Sequence, residues 1–278
     1  MISIDSGRES VIEEARSLAY EIFEADLVKV VQGPQKGFVA NFLSMTVDNP
    51  VNSFVAFSDQ DDVWSPDHLE KSIRRLENAA GSEGAIQDRK PLATGGRTRV
   101  VDSELNLIGL SPLYRRPPDF RNALVQCIGG GNTIVMNPAA HQLIQTAGAL
   151  EVISHDWWVY LLVTGAGGKY IYSHVPTILY RQHNANLVGG KNGLKAKLIR
   201  LYWLMAGRFR NFNSANLTAL EQCKDLLTEE NRQLVQEFQA CRNRNIFLRT
   251  GQGIKLKLYR QTPMEQAGLL TAFLLKKL

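Results

Sequence analysis

Apolar and polar positions change period repeatedly along the first 80 residues. Met1–Ile4 is a short apolar run that reads as a strand, and Asp5-Ser6-Gly7 turns the chain. Val11, Ile12, Ala15, Leu18, Ala19, Ile22 and Phe23 then fall on one helical stripe. Leu27–Val31 reads as a second strand, Gly33–Gly37 as a turn, and Phe38–Met45 as the start of a second helix. Phe54–Phe57 is a third buried strand. After it, Ser65 and Pro66 open a helix as N-cap and first helical residue, with Leu69, Ile73 and Leu76 on one face. This βαβαβα order predicts an α/β fold with a parallel, right-handed, doubly wound sheet.

Residues 80–118 are polar and Gly-rich and read as a loop-rich insertion. Phe120–Cys127 looks helical. Gly129-Gly130-Gly131-Asn132 leads into the strand Thr133–Met136. Ser154-His155-Asp156-Trp157-Trp158 opens an apolar helix over Val159–Val163, and Lys169–Ser173 and Thr177–Tyr180 are short strands. Beyond residue 190 the texture changes. Leu194–Arg208 interleaves Lys195, Lys197 and Arg200 with aliphatics, Tyr202 and Trp203. Residues 217–242 read as one amphipathic helix, and Met264–Leu278 ends the chain with clustered leucines and Lys276-Lys277. The division expected is a catalytic domain over 1–190 and a basic helical appendage over 191–278.

Composition narrows the class. A hydrophobic fraction of 44% and a charged fraction of 21% suit a globular protein with a real core. Cys127, Cys223 and Cys241 are odd in number and widely spaced, which points to a reducing, cytoplasmic setting and to neither a disulfide framework nor a zinc site. No apolar run of 18 residues occurs, and the first residues do not read as a signal peptide. The net charge of +5 hides an asymmetry: residues 191–278 carry 16 Lys/Arg against 6 Asp/Glu, or +10, which leaves −5 for residues 1–190. An anionic surface is the partner expected for such a tail. Nucleic acid is disfavoured, because the basic residues sit among bulky aliphatics and no nucleic-acid-binding motif is present.

The chemistry concentrates in Ser58-Asp59-Gln60-Asp61-Asp62-Val63-Trp64. Three carboxylates within four residues at a strand end repel unless a cation or solvent neutralises them. An Asp-x-Asp pair offers hard oxygens to Mg²⁺ or Mn²⁺, which commonly bridges one or two carboxylates to substrate phosphates. The other reading is a solvated acidic turn that caps the next helix. Asp156, at a helix start, is either a cap or a general base; the adjacent Trp157 and Trp158 suggest a platform for a sugar face. The three glycines before Asn132 permit close approach to a ligand or simply a sharp turn.

The SDQDDVW segment followed by a Pro-led helix resembles the Asp-x-Asp region of family 2 glycosyltransferases with the GT-A fold, closest to a rhamnosyltransferase-like branch acting on cell-surface polysaccharides. The resemblance runs over about residues 1–190. It implies that Asp5 and Lys36 lie near the nucleotide base, and that Asp59, Asp61 and Asp62 face the donor diphosphate. It implies that Asp59, Asp61 and His183 hold Mn²⁺ or Mg²⁺, and that Asp156 is the catalytic base. Gly130, Gly131 and Asn132 would lie beside donor sugar and acceptor, with Trp157, Trp158 and Arg181 on the same side. The donor implied is a dTDP- or UDP-sugar, dTDP-rhamnose in the nearest branch. The acceptor implied is a glycan or lipid-linked precursor at the inner face of a bacterial plasma membrane. A glycosidase is disfavoured, since two-carboxylate hydrolysis has no use for a strand-end Asp-x-Asp. The family's usual first strand and helix have no counterpart before Met1, from which weak base selectivity and a tendency to self-associate are expected. A sugar-nucleotide-binding protein without turnover is the alternative.

Overall fold

A computed structural model describes residues 1–47, 53–81, 90–182 and 207–278. The first half follows the alternation in the sequence. Strand β1 (Ile2–Ile4) leads to helix α1 (Glu9–Ile22), and β2 (Val30–Gln32) to α2 (Phe38–Val47). Strands β3 (Val55–Ala56) and β4 (Val63–Trp64) flank the acidic segment ahead of α3 (His68–Ala80). β1 and β2 pair in parallel, as the βαβ pattern requires.

The remaining strands are β5 (Leu92–Gly96), β6 (Arg99–Val101), β7 (Leu107–Leu110), β8 (Val135–Met136), β9 (Lys169–Ser173) and β10 (Ile178–Arg181). They form two four-stranded sheets, ordered β3-β8-β5-β9 and β4-β10-β6-β7. The fold is mixed α/β and departs from the mostly parallel sheet expected. Among the described residues β3/β8, β5/β8, β4/β10 and β6/β7 are antiparallel, whereas β1/β2, β5/β9 and β6/β10 are parallel. In the first sheet the cause is β8, which enters between β3 and β5 against their direction, and in the second β4 and β7 each run against their neighbour.

The region read as a loop-rich insertion therefore contains three strands, and β5 is buried along its whole length. Its glycines made it look like a loop, but packing demands one of them. A Cβ on Gly95 would lie 1.8 Å from the Tyr170 hydroxyl of the neighbouring strand. The helix start after the acidic segment also shifts: Ser65 and Pro66 precede it, Asp67 is the N-cap, and the Ser65 hydroxyl donates to the Asp67 carboxylate at 2.8 Å.

At the centre runs α6 (His155–Gly165), preceded by the short α4 (Phe120–Ala123) and by α5 (Pro138–Ala147). Every residue of α6 except Asp156 is buried, the signature of a helix apolar all round. Leu43, Phe57, Ile134 and Met136 join it in one core.

The tail belongs to the same core. It holds α7 (Arg208–Gln222), α8 (Glu229–Asn243), α9 (Ile246–Lys255) and α10 (Pro263–Leu274). The single helix expected over 217–242 breaks at a 3₁₀ turn over Lys224–Leu226, after which the Thr228 side chain caps α8. Leu217, Leu220, Leu234, Phe238, Leu269 and Phe273 are buried together with the α6 core. Polar anchors fix the seam: Asn231 donates to the Gly165 carbonyl at 2.9 Å, Arg121 to Leu256 O at 2.6 Å, and Arg260 to Val125 O at 2.9 Å. The stretch 194–206 lies outside the described residues.

Because Phe238 is fully buried and meets Phe273 edge-on at 6.3 Å, Phe238→Ala should cost about 3–5 kcal/mol. Urea unfolding followed by both circular dichroism and tryptophan fluorescence should show one shared transition at lower denaturant. Two separated transitions would mean that tail and body fold independently.

Candidate active site

The acidic segment crosses from β3 to β4 as an open turn. Asp62 is held from two directions: the Arg181 backbone N–H donates to Oδ1 at 2.9 Å, and the Asn132 amide donates to Oδ2. The Arg181 guanidinium donates to the Asp61 carbonyl at 2.9 Å and to the Ser103 carbonyl. Arg181 and Asn132, expected to face sugar and acceptor, thus shape the acidic turn. Their commitment to Asp61 and Asp62 is what fixes the carboxylates in place.

Asp156 projects from the first turn of α6 as its one unburied residue. The fold brings it within electrostatic reach of Asp59, whose carboxyl is pushed up to about 6. Burial is the main cause, followed by the charges of Asp62, Asp61 and Asp156. Asp62 is raised too, by burial, although its hydrogen bonds to Arg181 and Asn132 oppose the shift. The structure therefore assembles Asp59, Asp61, Asp62 and Asp156 at one rim. Among the described residues Asp59's carboxylate has no hydrogen-bonding partner, and no cluster of three His, Cys, Asp or Glu side chains is arranged to enclose a metal. The donor set is hard oxygen, which fits Mg²⁺ or Mn²⁺ shared with a ligand's own oxygens and not a closed protein cage. His183 lies outside the described residues.

Two expectations fail on burial. Trp158 is fully buried, and Trp157 is buried with its indole N–H donated to the Ala123 carbonyl at 2.7 Å. Both rings build the core beneath Asp156 and offer no face for a sugar. Gly131 and Asn132 are likewise buried. A Cβ on Gly131 would sit 2.2 Å from His155 Nε2, so packing against the imidazole accounts for this glycine.

His155 was not singled out by the sequence. It stacks on Phe42 at 4.2 Å and meets Phe57 edge-on at 5.1 Å. Burial holds its ring neutral against the pull of Asp156. Cys127 was missed as well: burial, then the Asp156 charge, keeps its thiol protonated. His155 could have been found from its place beside Asp156. Cys127 carries no local signal, because 29 residues of chain separate it from its neighbour in space.

At the carboxyl end of β1, Asp5 accepts backbone N–H groups from Gln35 and, at 2.8 Å, from Gly37. It holds the β2–α2 turn, on which Lys36 is exposed. Nothing in these contacts singles out a nucleotide base.

No family model matches the chain. It is 26% identical over 174 residues to dTDP-rhamnosyl transferase RfbG of Shigella flexneri, a span covering 61% of this chain and 56% of that protein. The chain is a distant relative of a glycosyltransferase. It spans little more than half of that relative's length, and the similarity concerns that part alone.

Asp59 generates a pH prediction. Its carboxyl titrates near 6 in the folded protein and near 3.8 in the unfolded chain, so the folded state binds more protons between these values. Stability should fall as pH rises from about 4 to about 6 and stay lower above it. Asp59→Asn should relieve this and stabilise the metal-free protein by about 1–2 kcal/mol near neutrality, less than the full shift because the group is partly solvated. Thermal unfolding across that range tests the sign, since a gain equal at pH 4 and pH 7 would remove Asp59 as the source.

Proposed function

We propose that the protein is a family 2 glycosyltransferase with the GT-A fold, transferring a sugar with inversion from a dTDP- or UDP-linked donor to a hydroxyl of a glycan or lipid-linked precursor. The observation that carries this reading is the meeting of a strand-end Asp-x-Asp with one half-buried carboxylate, Asp156, at the head of the buried central helix. The similarity to a dTDP-rhamnosyl transferase supports the same class and favours a deoxyhexose donor.

Asp59 and Asp61 would hold Mn²⁺ or Mg²⁺ against the donor diphosphate, with His183 as a further ligand. The bound cation would supply charge neutralisation as the bond to the leaving diphosphate breaks. Asp62 orients the acidic turn through Asn132 and Arg181. Asp156 takes the proton from the acceptor hydroxyl. That oxygen forms the new bond to the anomeric carbon, and the electron pair of the old C–O bond departs with the nucleoside diphosphate. One in-line displacement inverts the centre. Caged beneath Asp156, His155 and Cys127 stay neutral and leave it the base at that point. Asp5 and Lys36 border the nucleotide side.

Nucleotide release from a panel of dTDP- and UDP-sugars with Mn²⁺ tests the reading directly. Asp156→Asn should lose roughly two to four decades of turnover while keeping donor affinity. Full activity in that variant would make Asp156 a cap. Asp61→Ala should remove both the metal requirement and most donor affinity in calorimetry. Tight donor binding with no turnover on any acceptor would favour a binding protein.

No helix among the described residues is long and apolar enough to cross a membrane. The tail's buried leucines cannot enter a bilayer, but Leu270, Leu274 and Leu275 are exposed beside Lys276 and Lys277. With the tail's charge of +10, this face would rest on the anionic inner surface of a bacterial membrane, placing the enzyme in the cytoplasm beside a lipid-linked acceptor. Sedimentation with anionic vesicles should fall as salt rises. Equal recovery in the supernatant with neutral and anionic vesicles would remove the membrane from the proposal.

A further inference from the structure

One residue beyond Asn132, Thr133 lines a second site of opposite charge. Helix α3, the end of β5 and the β9–β10 connection border a solvent-open cleft of about 230 Å³. His68, Ser72 and Arg75 face it from α3, Thr94 and Arg97 from β5 and its exit, and Ser173 from β9. Among the described residues two arginines line it and no Asp or Glu does. The acid next to His68, Asp67, is already committed to Lys71 at 2.5 Å and to the Ser65 hydroxyl.

His68 makes this more than a polar dent. The side chain is 3% exposed, and its Nδ1 lies 2.7 Å from the Thr177 hydroxyl. Nε2 is buried with no partner among the described residues. An unsatisfied buried nitrogen costs about 1–3 kcal/mol, and this one belongs to a residue that lines the cleft. Burial, and then the charge of Arg75, hold the imidazole neutral, which places the guanidinium near the ring. Arg97 is set in advance: its Nε donates to Ser111 O at 2.6 Å and its backbone N–H to Ser173 O at 2.9 Å.

We propose that this cleft binds a phosphate-class oxyanion. The Thr177 hydroxyl donates to Nδ1, which leaves an Nε2–H to donate to one phosphoryl oxygen. The rest of the group sits at the mouth between Arg75 and Arg97, where guanidinium forks match its geometry. The Gly129–Thr133 turn contributes to both sites, Asn132 bonding Asp62 and Thr133 lining the cleft. The anion is either free inorganic phosphate or a phosphate carried by the sugar acceptor. The second source rests on the glycosyl-transfer reading, whereas anion binding does not.

The test is a titration of the full chain with inorganic phosphate, followed through the imidazole resonances of isotope-labelled histidine, with chloride at equal ionic strength as control. His68 should shift saturably with phosphate toward the Nε2–H tautomer, and Arg75→Gln should weaken the response at least tenfold without changing thermal unfolding. A silent His68, an equal response to chloride, or undiminished affinity in Arg75→Gln overturns the proposal. Geranyl diphosphate then separates the sources: tighter binding than phosphate at the same resonance upholds the site as one for a carried phosphate, and weaker binding upholds it for the free ion. Sugar transfer with a silent His68 defeats this inference alone. Phosphate binding without sugar transfer on any donor defeats the glycosyl-transfer reading alone.

Discussion

Mutual repulsion among carboxylates is the constraint around which this molecule is arranged. Asp59, Asp61, Asp62 and Asp156 share one rim, and burial raises the cost of charge on Asp59 and Asp62. The protein offsets that cost only in part, through the Asn132 amide and the Arg181 backbone N–H on Asp62. Those groups arrive from the Gly-rich turn and from β10, far apart in sequence. Much of the topology can be read as the means of delivering them to one place. Among the described residues nothing compensates Asp59, whose carboxyl is pushed up by burial and by its acidic neighbours.

Parts of this were legible in the sequence because they depend on local rules. The strand–helix alternation through residue 80 follows from hydrophobic period, and β1 to α3 appear in that order. The acidic turn and Asp156 stand out because charge interrupts apolar runs abruptly. What failed to show depends on contacts between distant segments. β5 reads as a loop because Leu92-Ala93-Thr94-Gly95-Gly96 has little bulk, yet the small residues make room for Tyr170. The antiparallel entry of β8 has no signature in a two-residue strand. The tryptophans after Asp156 suggested a sugar platform by composition alone, but helical geometry sends both into the core. That Arg181 and Asn132 bond the acidic turn was not foreseen, since a residue's partner cannot be seen from its type.

The two flanks of the Gly129–Thr133 turn have contrasting electrostatics. On one, carboxylates crowd; on the other, Arg75 and Arg97 line a cleft with the buried imidazole of His68. A turn with Gly131 pressed against His155 has little freedom to adjust to either one separately.

The seam between tail and body has a consequence for how such a chain can diverge. Several of its bonds end on main-chain carbonyls: Leu256, Tyr259, Val125, Thr164 and Gly165 accept from Arg121, Asn122, Arg260 and Asn231. A carbonyl belongs to the path of the chain and not to any side chain. These bonds therefore leave the accepting side chains unspecified, and only packing restricts them, as it does at Gly165, Val125 and Leu256, while the few donors are fixed by the bonds themselves. Two descendants could differ at an acceptor such as Tyr259 and still hold their tails in the same pose.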